Sequence, residues 1–141
     1  MTAADARPCN HVRVLWLLLL LVAACQPLPD VVTARDLLRE GARYDGKRIV
    51  LTGLAQNPRL GSSAELGTYT SFVLTDGTAR VPVIAPGTQD VSQGDVVEVR
   101  GVFRERMALG DEEMRNVVEA NFLWPRQRAP GIPGAPVGPP G

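Results

Sequence analysis

Two segments of this chain, GKRIVLTGLA at 46–55 and GDVVEVRGVF at 94–103, can be laid one beneath the other. Each opens on a glycine suited to a turn and then alternates along β-branched positions with a period of two. Each carries a second glycine seven residues after the first, at Gly53 and Gly101. Glycine weakens a strand unless the strand must bend, bulge or let another backbone come close. Two long strands with a glycine at the same point therefore predict a small barrel, where strands coil sharply to close.

Other strand signals agree. TSFVLTDGTARVPVIA holds two runs around Asp76-Gly77, the strongest short-range hairpin signal. NVVEANFLW, 116–124, puts Val118, Ala120, Phe122 and Trp124 on one face and reads as a closing strand. Five strands result, at about 47–55, 69–75, 78–84, 95–104 and 116–123. Ahead of them VTARDLLREG reads as one short helix, with Thr33 as cap, Asp36 completing a capping box and Gly41 as the stop. Leu37 and Leu38 form its apolar face. The expected fold class is all-β, a five-stranded barrel with one short N-terminal helix across 33–124.

The flanks read differently. Arg7 and Arg13 stand against Asp5, and an apolar run goes from Val14 to Val22. A bilayer span takes about 20 residues, and this run is far shorter. A basic start, a short apolar run and small residues at its end are the layout of a secretory signal peptide, expected as a helix over 1–24. VAAC, 22–25, resembles the bacterial lipobox. That resemblance implies diacylglycerol on the Cys25 thiol, cleavage after Ala24, and an acyl chain such as palmitate on the new amino group. Each buried CH₂ contributes roughly 0.8 kcal/mol, so several chains anchor stably where one would not. QPLPD then belongs to a short tether over 25–32. Gln26, where an aspartate would signal inner-membrane retention, favours the outer membrane, periplasmic or surface-facing. At the other end PRQRAPGIPGAPVGPPG, 125–141, reads as a flexible, partly polyproline-type tail.

The leader removes Arg7, Arg13 and Asp5, so of 15 basic and 15 acidic residues 13 and 14 stay. A domain this near neutrality has no overall electrostatic footprint for nucleic acid. The sole histidine, His11, and Cys9 leave with the leader. That excludes Ser/His and Cys/His nucleophile pairs and any His-based metal site in the mature chain. Asp111, Glu112 and Glu113 are adjacent and read as a solvated loop, lacking the ligand spacing of a calcium loop. A carboxylate hydrolase built on them is a third-rank alternative.

YDGKRIVLTG, FVLTDGTARVPV, GDVVEVRGVF and VVEANFL, taken in order, resemble the bacterial OB-fold domains of envelope proteins, related to the anticodon-binding type, over 44–123. An SH3-like barrel is the structural alternative. PGTQDVSQG is too short for the helix often found between the third and fourth strands, so the helix at 34–40 is expected to cover the barrel's bottom. Periplasmic haem chaperones share an OB-like barrel but carry a haem-linking histidine near its C-terminal end, which NFLWPRQRAP lacks.

The resemblance implies a non-enzymatic binding role. OB-folds bind through the middle strands and the loops after strands one and four. The candidate contacts are Tyr69, Phe72, Arg80, Arg100, Arg104, Arg106, Met107 and Leu109, around a groove between 57–70 and 104–116. The expected partners are the membrane, through lipid on Cys25, and an envelope protein or glycan; no other cofactor is implied. Oligonucleotide binding is the alternative, weakened by an aromatic content of 5% and by the acidic triplet.

Overall fold

Thr33 and Asp36 start the first helix of the computed structural model, which describes residues 27–128. The leader, Cys25 and the tail beyond 128 lie outside the described residues. The elements run β1 (Asp30–Val31), α1 (Ala34–Arg39), α2 (Gly41–Tyr44), β2 (Arg48–Ser63), β3 (Gly67–Thr75), β4 (Arg80–Pro86), β5 (Val96–Leu109) and β6 (Glu112–Gln127). The fold is all-β, with two short helices where one was expected.

The capping box forms. Thr33 Oγ1 accepts the Asp36 N–H at 3.2 Å, and Asp36 Oδ2 accepts the Thr33 N–H at 3.2 Å. Gly41 opens α2 instead of ending the chain's helical stretch, with Glu40 as the joint. A helix this short is unstable alone, and α1 is held by burying Ala34 and Leu37 in the core. Asp76 holds it too. Its Oδ2 accepts the Ala34 N–H at 2.7 Å, while Oδ1 accepts from Thr78 Oγ1 at 2.6 Å and from the Thr78 N–H at 2.9 Å. One carboxylate thus closes the β3–β4 turn and caps the helix. Burial pushes its carboxyl up, but those hydrogen bonds outweigh it and hold the pKa down at about 2.

The sheet order is β1-β2-β3-β4-β6-β5, and β2 also pairs with β5, so the five long strands return on themselves. β2 makes this possible by changing partner. Arg48 to Leu54 pair with β5, and Leu54 to Ser63 pair with β3. Gly53 sits at the change, where an added Cβ would lie 2.5 Å from the Thr75 carbonyl oxygen. Gly101 faces the matching crowding, since its Cβ would fall on the Glu119 carbonyl oxygen. Both glycines are therefore places where a second backbone comes close. The remaining seam is short: β4 and β6 run parallel with Val83↔Val118 and Ile84↔Glu119 in register.

The core inside this ring is built from alternate residues, among them Ile49, Leu51, Phe72, Leu74, Val81, Val83, Val97, Val99, Phe103 and Val118. Leu37 reaches it from α1. The stretch between β4 and β5 holds no helix, as its length predicts.

Two expected loops are strand instead. β2 and β3 continue as a hairpin to Ser63↔Gly67, and β5 and β6 to Leu109↔Glu112. RLGSSAELGTYT alternates few apolar residues, and a strand solvated on both faces leaves only a weak periodic signal. The last strand also runs to Gln127, past Pro125, where a tail was expected. Pro125 sits beside a register shift on a stretch of β6 paired only with β5, a position that tolerates a missing N–H. Likewise Asp30 and Val31, expected in the tether, pair in parallel with Ile49 and Val50.

Gly53→Ala and Gly101→Ala should each cost about 3 kcal/mol or more, because backbone must move to admit the methyl group. Gly61→Ala should cost less, since its Cβ meets only the turnable ring of Tyr69. Thermal denaturation of the three variants orders them. Asp76→Asn should lose about 2 kcal/mol at neutral pH. A depressed carboxyl stabilises the fold fully above its unfolded value near 4, and the gain disappears as pH falls toward about 2. Across that acid window the natural chain should lose more stability than the Asn variant.

Candidate functional site

In β2 and β5, Ile49, Leu51, Val97 and Val99 point into the core, so Val50, Thr52, Glu98 and Arg100 point out. β6 joins this outward face by a slip of register. Arg100 pairs with Phe122 but Gly101 pairs with Ala120, leaving Asn121 as an extra residue. The bulge turns the strand over at that point. Val118 and Ala120 face the core as expected, whereas Phe122 and Trp124 face solvent, 73% and 65% exposed. Leu123 packs against the core in their place. The single-face reading of NVVEANFLW is therefore corrected beyond Ala120.

The outward face is a groove of about 420 Å³ lined by Glu98, Arg100, Phe122, Trp124 and Arg126. Glu98 lies at its floor, only 7% exposed. Its Oε1 accepts from Arg100 Nε at 2.8 Å, and its Oε2 accepts from Arg126 Nε at 3.1 Å and also from Arg126 Nη2. The Arg126 hydrogen bonds, then that of Arg100, hold the Glu98 carboxyl below the usual glutamate range against the cost of burial. One carboxylate cannot saturate two guanidiniums, each with five N–H donors. The arginine side chains stay 59% and 52% exposed. The result is a pair of oriented cations beside two unpartnered aromatic faces, suited to a ligand that offers anionic oxygens next to apolar or planar surface.

The residues singled out from sequence lie elsewhere, with one exception. Phe72 is core, 3% exposed. Tyr69, Met107 and Leu109 do come together, but as a second apolar cluster with Ile84 and Val117, not as an open groove. Ile84 and Val117 alternate with core residues and so point outward, where the two long hairpins cover them. The hairpin ends are tied by the Gly110 N–H, which donates to Glu65 Oε2 at 3.3 Å. Arg80 donates to Gln56 Oε1 at 2.8 Å, and Arg104 lies 3.5 Å from Glu119. Arg106 borders a separate recess over Asp111, Glu112 and Glu113. Arg100 alone belongs to the aromatic face. Glu98, Phe122, Trp124 and Arg126 were missed. NFLW is apolar at both parities, so a period of two could not say which residues face out. Among the described residues, no three His, Cys, Asp or Glu side chains converge as a metal site.

No family model matches the chain, and no curated protein matches it. Among solved structures it is similar to a chain assigned as an aspartyl-tRNA synthetase, from Leishmania major Friedlin. The identity is 11% and the TM-score 0.53, with 75% of this chain and 22% of that chain covered. The chain thus spans under a quarter of that protein's length, and the likeness concerns fold alone. With the strand circuit described above, it supports an OB-like β fold.

The exposed aromatics should contribute little to stability. Phe122→Ala with Trp124→Ala should shift unfolding by under about 1 kcal/mol, whereas Phe72→Ala should cost about 3–5 kcal/mol. Urea denaturation of the two variants reads the contrast.

Proposed function

We propose that this protein is a bacterial envelope lipoprotein, lipidated at Cys25, whose OB-type barrel binds a partner without transforming it. The observation that carries the binding reading is the outward face of β5 and β6. There Phe122 and Trp124 stand exposed beside two arginines that the buried Glu98 orients. A side chain of that size left in water in a small domain, next to fixed charge, marks a contact surface. The lipobox-like VAAC supports the anchor, and Gln26 supports the outer membrane as its location. The envelope partner would meet the barrel on this face and not at the filled space between the hairpins.

A second reading, binding of single-stranded nucleic acid, draws on the same surface. Aromatic faces stack bases and arginines hold phosphates. Its test is the salt dependence of oligonucleotide binding, which must be steep if phosphates are engaged.

Replacing Cys25 removes the only thiol that the lipid chemistry can use in the mature chain. Cys25→Ser should move the protein from the membrane fraction to the soluble fraction, with the fold unchanged by circular dichroism. Mass spectrometry of the natural N-terminus should show a diacylglyceryl adduct on residue 25.

A further inference from the structure

The N-terminal segment enters the fold beside the aromatic face. The Pro27 carbonyl accepts from Arg48 Nη2 at 3.0 Å. Cys25 precedes Pro27 by two residues in the sequence, and two residues of chain span at most about 7 Å. Pro29 lines one recess together with Arg48, Arg100 and Phe122. The backbone register runs Val31↔Val50, Val50↔Arg100 and Arg100↔Phe122, a single row across β1, β2, β5 and β6. The N-terminal end of the described chain and Phe122 therefore border one recess.

We propose that this side docks on the lipid headgroup layer around the anchor, fixing the barrel's orientation on the membrane. The inference rests on Cys25 being the lipid attachment site, and it names the partner of the face described above. Three features argue for a bilayer surface. The first is exposed apolar content, since Leu28 and Val31 are 89% and 84% exposed and Val31 stands in the same backbone row as Phe122. Tryptophan and phenylalanine partition to the interface between headgroups and acyl chains. The second is charge. Arg100 and Arg126 present guanidiniums that match phosphate oxygens, and Lys47 borders the neighbouring recess together with Asp30. The acidic hairpin end at Asp111 to Glu113 lies up to about 30 Å further along β5 from Arg100, away from this patch, whose own carboxylates are Asp30 and the Glu98 that the two arginines already pair. The third is tether length. So short a link keeps the face at high effective concentration over the membrane, and a weak patch then suffices.

Trp16 leaves with the leader, so Trp124 is the only tryptophan of the mature chain and reports on this face directly. The lipidated chain is reconstituted in vesicles of phosphatidylethanolamine and phosphatidylglycerol carrying a quencher at headgroup depth. Docking predicts blue-shifted Trp124 emission, quenching by the lipid probe, and accessibility to aqueous iodide reduced about threefold or more relative to Cys25→Ser in solution. Arg100→Glu should restore iodide access while flotation still shows the protein on vesicles. Trp124 that stays open to iodide on lipidated, floating protein overturns docking and leaves the lipoprotein reading intact. Protection that appears only after an envelope protein fraction or a glycan is added likewise overturns docking, and assigns the face to that partner. An unlipidated chain that does not float overturns both.

Discussion

Two peptide carbonyls, those of Thr75 and Glu119, rest where side chains would be if residues 53 and 101 were anything but glycine. Closure of the sheet depends on those two approaches. At Gly53 the 16-residue β2 leaves β5 for β3, and the crowding there shows how sharply it must coil. At Gly101 the close contact coincides with a bulge in β6. A closed sheet removes strand edges and gives every alternate residue one sealed interior to fill. With ordinary side chains at those positions the strands would have to stand apart, and the core of valines, leucines and isoleucines would lose its wall.

The same bulge determines what the outside looks like. With the extra residue at Asn121, β6 keeps Val118 and Ala120 in the core and turns Phe122 and Trp124 to water. Glu98 and Arg100 are adjacent outward positions on the paired strand, and Arg126 joins them because β6 continues past Pro125. A feature needed for closure thus also creates the aromatic and cationic surface. The space between the long hairpins is filled by Tyr69, Met107, Leu109, Ile84 and Val117. These hairpins work as struts that brace each other through Glu65 and Gly110. This leaves the β5–β6 side as the open aromatic and cationic surface.

Much of the fold was legible in the chain. The twin glycines, the Asp76-Gly77 turn and the Thr33 cap each express a local rule that tertiary structure did not override. Asp76 did more than a turn signal states, because its second oxygen reaches Ala34, 42 residues away in sequence. What stayed hidden has physical reasons. Strands wet on both faces, such as Arg59 to Ser63, carry no strong period. A bulge shifts parity by one residue without marking its place in the composition. PRQR reads as the start of a tail, yet Arg126 and Arg128 tie it to Glu98 and Asp90 by ion pairs that no linear pattern announces. The site was hidden for the same reason as the bulge, since NFLW offers an apolar residue to either face. Of the residues chosen for binding, only Arg100 lies on the exposed aromatic surface.

Everything proposed for the surface presupposes that the strands close into a ring, and the seam between β4 and β6 is its narrowest join. Backbone NMR of the mature chain tests it most directly. Closure predicts interstrand NOEs linking Val83 and Ile84 to Val118 and Glu119, together with slow amide exchange along Arg48 to Leu54 where β2 faces β5. An absence of those NOEs, with β2 amides exchanging as fast as the hairpin ends, would mean an open sheet and would contradict the account.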